Sequence, residues 1–368
     1  MSARSAVVAV VLTLAGCSAA APAGHEPPPG HGRPPSQSPA AVDPVDVIPD
    51  GRWRRVYRQK GLANGANFLD IVADGSDAWA VGERVEVDYH ESVLVHWDGR
   101  QWRRLVQELP ERGRSRTLSK VDASAPGNVW VVAEDNEGGD SGLLHFDGRR
   151  WSFLPDEIDE NDEPVSTLEV IALGHDQAWT FGERWAKHFD GRKWGRYETP
   201  VTTNAASALS PQDIWAVGAT ADGPAAAHFD GRSWQRTPLP PVAPAGTFDA
   251  QLTAVLAVAA DDVWAVGSYS TSDSRFWPLL YRWNGTAWRA LALKEGRLTG
   301  VAQDGGGSVW IAGDVVNPEL SHDDYFLLTH AGGRWSQVSS KLPLTALTQA
   351  SGGRRLWGLA EDEIVEYR

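Results

Sequence analysis

Ser76 to Gly82 reads SDAWAVG and His96 to Trp102 reads HWDGRQW, and both stretches return along the chain. The first recurs as GNVWVVA, DQAWTFG, QDIWAVG, DDVWAVG, GSVWIAG and RRLWGLA, so that its seven copies are centred on Trp79, Trp130, Trp179, Trp215, Trp264, Trp310 and Trp357. The second recurs as HFDGRRW, HFDGRKW, HFDGRSW, RWNGTAW and HAGGRWS, so that its six copies carry Trp102, Trp151, Trp194, Trp234, Trp288 and Trp335. After Trp357 the second half-unit is missing. It stands at the other end, as DGRWRR around Trp53.

Successive first tryptophans lie 51, 49, 36, 49, 46 and 47 residues apart, the period of blades that are each a four-stranded antiparallel sheet. A blade cannot bury both faces alone, so blades stack. If Gly51 to Gln59 supplies the outer strand of a blade whose other strands lie between Leu344 and Arg368, the array closes into a ring without open edges. The expected fold is therefore an all-β, seven-bladed β-propeller over 51–368. The inner strands are the LxxV runs Leu118–Val121, Leu168–Ile171, Leu252–Val255, Leu298–Val301 and Leu344–Leu347, and the WAVG segments are the second strands. Asp-Gly, or Asn284-Gly285, predicts a two-residue type I′ hairpin into the outer strand.

Fourteen of the 18 tryptophans occupy repeat positions, which assigns them to packing between blades. The repeated His96, His145, His188, His228 and His330 are read the same way, because residues at one repeat position are spread around a ring and do not converge on a ligand. No metal and no cofactor is expected. A formal charge of −14 argues against nucleic acid, which requires a basic stripe. GxSxG, HExxH and paired CxxC motifs are absent from the sequence.

Residues 1–16 read as a signal peptide ending at Leu14-Ala15-Gly16-Cys17, with Arg4 before an apolar core from Ala6 to Thr13. The stretch resembles the lipobox of bacterial lipoproteins, which implies lipidation of Cys17 and anchoring to the outer face of a cell membrane or to an outer membrane. Cys17 is the single cysteine of the chain, so no disulfide competes for it. Residues 17–50, rich in proline, read as a disordered tether.

Residues that break the repeat are where specificity is sought. The loops between second and third strands are acidic and carry Tyr89, Tyr269, Phe276, Trp277 and Tyr325, with His90 and His322 beside them. This rim suits stacking on sugar rings or holding a basic peptide. A second location is the central channel, where Asp70, Lys120, Glu169 and Asn204 are the expected lining groups. A lone carboxylate there does not make a hydrolase, since glycosidic cleavage uses a pair at a defined separation.

The WAVG strand followed by HFDGRSW resembles the repeat of exported bacterial seven-bladed propellers and, more distantly, is similar to galactose oxidase/kelch and tectonin-type propellers. The double glycine of kelch units is missing, as are the cysteine–tyrosine cross-link of galactose oxidase and the SxDxGxTW turn of sialidases. The resulting expectation is a monomeric, lipid-anchored, non-catalytic scaffold binding a protein or envelope glycan. The alternative is a glycan-active enzyme of the envelope that uses Glu169 or a rim carboxylate.

Overall fold

The computed structural model describes residues 40–41, 46–48, 53–59, 67–85, 90–135, 141–156, 167–174, 177–241, 247–315, 324–340, 342–349 and 356–367. The chain divides into two units, residues 1–37 and 38–368. The first unit, with Cys17, lies outside the described residues.

Among the described residues the second unit forms seven sheets, six holding the four antiparallel strands of one repeat in sequence order and the seventh completed by a strand from the N-terminal side. Blade 1 runs from inside to outside through Asn67–Asp74, Asp77–Val85, His90–Trp97 and Trp102–Arg104. The inner strands of blades 2 to 6 are Thr117–Ala125, Glu169–Leu173, Thr202–Ser210, Phe248–Ala259 and Arg297–Gln303. Blade 7 takes three strands from the C-terminus, starting at Leu344–Gln349, and its outer strand from Trp53–Arg58. Trp53 pairs with Tyr367 across this closure, and their rings meet edge to face at 5.3 Å. The ring closes as the displaced half-unit requires.

Part of the stretch read as a tether takes up structure. Ala40–Ala41 adds a parallel strand to the outer edge of blade 5, and Asp46–Ile48 does the same on blade 6. Upstream of its closing strand, the chain thus caps two outer edges that would otherwise present unpaired N–H and C=O groups.

The tryptophans explain why the blades stack. The second-strand Trp of one blade stands edge-on to the outer-strand Trp of the next: Trp79 to Trp151, Trp130 to Trp194, Trp179 to Trp234, Trp215 to Trp288 and Trp264 to Trp335, at 5.4 to 5.8 Å. Trp357 meets Trp102 at 5.2 Å across the join of blades 7 and 1. At the remaining seam Trp310 packs on Tyr367 at 4.8 Å. Edge-to-face contact adds to the burial of each ring.

The repeated histidine belongs to this scaffold. His96 bonds Asp77 at 2.6 Å and stacks on Trp79 at 3.9 Å; His228 repeats the arrangement with Asp213 and Trp215. His145 uses Asn128, which also accepts the Trp130 indole N–H at 2.7 Å. In blade 5 Arg282 replaces the histidine and keeps both contacts, to Asp262 at 2.8 Å and over the Trp264 ring at 4.7 Å.

One local expectation is corrected. The Asp-Gly hairpins are not type I′, because positive φ falls on Gly99, Gly148, Gly191, Gly231 and Gly285 but not on the preceding Asp or Asn. Asp98 Oδ1 instead accepts the backbone N–H groups of Arg100 and Gln101, and Asp147, Asp190, Asp230 and Asn284 do the same two and three residues on. The side chain substitutes for backbone in an Asx turn, and the loop needs one left-handed residue in place of two. These N–H bonds hold the carboxyls of Asp98, Asp147, Asp190 and Asp230 below the usual range.

Candidate functional site

The inner strands surround a channel with a volume of about 560 Å³. Six of them carry a bulge immediately after the first leucine-like position, so one residue of each has no partner on the second strand: Leu69, Ser119, Asn204, Thr253, Thr299 and Thr345. A bulge re-aims its side chain, and three of these reach the following blade. Asn204 Nδ2 donates to the Leu252 carbonyl at 2.9 Å and to Gln251 Oε1 at 2.8 Å. Thr253 donates to the Leu298 carbonyl at 3.2 Å, and Thr299 to the Leu344 carbonyl at 3.1 Å. Asn204 is thereby turned toward blade 5, stitching the ring.

Asp70, Lys120 and Glu169 line the channel, joined by Asp122, which the sequence did not single out. All four lie on blades 1 to 3. Across from them blades 4 to 7 present uncharged side chains, small, aliphatic, hydroxyl and carboxamide, among them Ala205, Ser207, Thr253, Gln303 and Gln349. The charged wall is itself a set of joints between blades. Asp70 accepts the Val121 N–H at 3.0 Å, Asp122 accepts the Ala172 N–H at 2.8 Å, and Lys120 Nζ sits 3.3 Å from Glu169 Oε2. Ser207 does in blade 4 what Asp122 does in blade 2, accepting the Ala257 N–H at 3.0 Å.

Burial sets the protonation of this wall. Desolvation pushes the Asp122 carboxyl up to about 8 and that of Glu169 up to about 7, the latter restrained by Lys120. Asp70 is raised by the same cause and restrained by Lys120 and two backbone N–H groups. Lys120 is raised by Glu169 beside it. Removing charge from water favours the neutral acid, and a neighbouring cation favours the anion. Asp122 had one available sequence signal: it directly follows an LxxV run, pointing across the same channel as Asp70.

The rim residues divide between two settings. Tyr269 is buried at 8% exposure and pairs in register with Trp277. Both rings pack into the core between blades 4 and 5. Phe276 lies one residue away and therefore on the opposite pleat face, with the Arg297 guanidinium of blade 6 over its ring at 4.9 Å. Arg297 also forks onto Asp314 at 2.8 and 2.7 Å, and Tyr325 is the cross-strand partner of Asp314. Phe276 and Tyr325 are thus linked across the seam of blades 5 and 6. Tyr89 and His322 lie outside the described residues, as does the side chain of His90.

Phe248 was not anticipated. Blade 5 has the longest inner strand, Phe248–Ala259, and its first residue is in the same row as Ser270 and Phe276. Phe248 is 56% exposed. The following Asp249 has φ 52°, an uncommon left-handed conformation for a residue with a side chain. Phe248 falls outside the repeat, so no periodic signal marks it.

No protein-family model matches the chain, and no curated protein matches it by sequence. Solved structures do resemble it. YCF48 from Cyanidioschyzon merolae aligns with a TM-score of 0.55 and 14% identity, over 86% of this chain and 99% of that one. The GH74 xyloglucanase from Xanthomonas campestris aligns at 0.59 and 12% identity, over 85% of this chain, which spans 52% of the xyloglucanase. The extracellular domain of a putative hybrid two component system from B. thetaiotaomicron aligns at 0.55 and 14% identity, with 86% of this chain against 39% of that one. At these identities the likeness is one of fold, and it agrees with the seven sheets: the chain is a seven-bladed β-propeller.

Proposed function

We propose that this protein is a membrane-anchored, extracytoplasmic scaffold that binds a protein or an envelope glycan on the face bearing the loops between second and third strands. The observation that carries this reading is the extended end of blade 5, where Phe248 is 56% exposed in the same row as Phe276. Phe248 and Phe276 lie in one row across Ser270, which groups two aromatic side chains at this end of the sheet instead of scattering them singly. The anchor is the lipid at Cys17 after removal of residues 1–16, with the proline-rich segment as spacer. The test is retention of purified envelope polysaccharide, and of partners identified by crosslinking in intact cells, on wild type and Phe248→Ala. Phe248→Ala abolishes retention without lowering the melting temperature. Unchanged retention rejects this face. Cys17→Ser releases the protein from the membrane fraction and stops incorporation of labelled palmitate.

A second reading is supported by the Glu169 carboxyl, pushed up to about 7 by burial, the range in which a carboxylic acid serves as general acid near neutrality. On this reading the channel cleaves a glycan. Release of reducing ends from envelope polysaccharide that disappears in Glu169→Gln would establish it.

A further inference from the structure

The seam where the ring closes holds a second cavity, on the outer perimeter and away from both the channel and blade 5. It has a volume of about 580 Å³ and is lined by Arg55, Val56, Tyr57, Arg58, Gln59 and Arg104. Arg55, Tyr57 and Arg58 belong to the closing strand of blade 7, whereas Arg104 ends the outer strand of blade 1. A bulge between Arg55 and Tyr57 breaks the alternation of that strand. Val56 and Tyr57 are consequently both half-buried, while Arg55 and Arg58 both stay exposed. Three guanidinium groups therefore face one cavity with no carboxylate among its described lining residues, in a protein of net charge −14.

Each guanidinium spends little of its donor capacity. Arg55 Nη1 meets Glu363 at 2.5 Å, Arg58 Nε meets Asp362 at 2.9 Å, and Arg104 Nη2 meets Glu91. A guanidinium has five N–H donors, so each keeps N–H groups for a ligand. The carboxylate pairs are solvent-exposed and weak. Gln59 supplies an independent pointer. It is only 5% exposed, its Oε1 accepts the Tyr57 hydroxyl at 2.6 Å, and its backbone N–H donates to the Asp362 carbonyl. Among the described residues its amide nitrogen has no acceptor, and the side chain lines the cavity. That donor stays open to the cavity, and an anion there would accept from it.

We propose that this cavity binds a phosphoryl group. A phosphate presents several strong acceptor oxygens in a tetrahedron, which matches guanidinium forks converging from two blades better than a planar carboxylate does. The net negative charge of the protein opposes long-range attraction, so recognition is short-ranged and selective for a ligand that enters the cavity. The ring must be closed for the site to exist, because Arg104 and Arg55 share no sheet.

The full chain is titrated with inorganic phosphate at constant ionic strength, with chloride as the control, and binding is followed by calorimetry and by melting temperature. Saturable binding absent with chloride is expected. Arg58→Gln combined with Arg104→Gln weakens it by at least about tenfold, and Gln59→Glu, which places an anion in the cavity, does the same. Arg232→Gln, an exposed hairpin arginine of blade 4, leaves it unchanged. Binding no better than chloride, or undiminished in both cavity variants when they melt like wild type, overturns the proposal. Flotation with phosphatidylglycerol vesicles, carried out in the Cys17→Ser background so that no lipid anchor contributes, then separates the sources. Flotation reduced in the double variant assigns the phosphoryl group to a lipid headgroup, and equal flotation alongside saturable phosphate binding assigns it to a soluble phosphorylated ligand.

Discussion

Asp122 shows how one buried carboxyl ties channel chemistry to stability. Folded, it keeps its proton up to about pH 8; unfolded, an aspartate ionises near pH 4. Between those values the folded state binds more protons, so the stabilisation is complete below the lower value and is lost as pH rises through the upper one. The melting temperature should therefore fall from pH 5.5 to pH 9, by a free-energy loss on the order of a few kcal/mol. Asp122→Asn, which keeps an acceptor for the Ala172 N–H, should flatten that dependence; an equally steep profile in the variant would exclude Asp122 as its source. Gly267 gives a steric counterpart. A Cβ there would sit 2.1 Å from the Gln251 carbonyl oxygen and 2.7 Å from Leu252 Cα, both backbone atoms that cannot yield. Gly267→Ala should cost roughly 1–3 kcal/mol in denaturant unfolding. The small residue after WAV was legible in the sequence. Its reason, an inner-strand carbonyl pressed against it at the bulge, was not, because a bulge leaves no mark in periodicity.

A blade is a cassette whose parts tolerate exchange only where contacts are preserved. Arg282 in place of histidine keeps the carboxylate bond to Asp262 and the face of Trp264. Arg282→His should accordingly stay within about 1 kcal/mol of wild type, as a shape-compatible swap. Arg282→Ala should cost more, through lost packing of the long side chain as well as lost charge; equal melting temperatures for the two variants would contradict this. The strand assignments and the scaffold role of the histidines were readable from the repeat. The hairpin type was not, because DG is compatible with two geometries. The choice fell to the Asp98, Asp147, Asp190 and Asp230 side chains, which bond their own loops.

In the whole ring, closure rests on Trp53–Arg58, whose arginines 54, 55 and 58 pair with Glu366, Glu363 and Asp362. Removing the chain through Gln59 would strip blade 7 of its outer strand and expose the edge at Glu363–Tyr367. The shortened protein should unfold at lower denaturant than wild type and self-associate in size-exclusion chromatography; a monomer of unchanged stability would show that closure contributes little. By itself the sequence determined the blade number, the strand order and the exchange of the last outer strand, because every interface buries the second-strand tryptophan of one blade and so imposes the same spelling on each repeat. Only the tertiary structure decided which polar groups face one another. Asp70, Lys120, Asp122 and Glu169 come from three blades, and Arg55, Arg58 and Arg104 from two. Side chains outside the repeat converge only when a ring brings distant strands to one axis or one seam, and no local pattern encodes that distance.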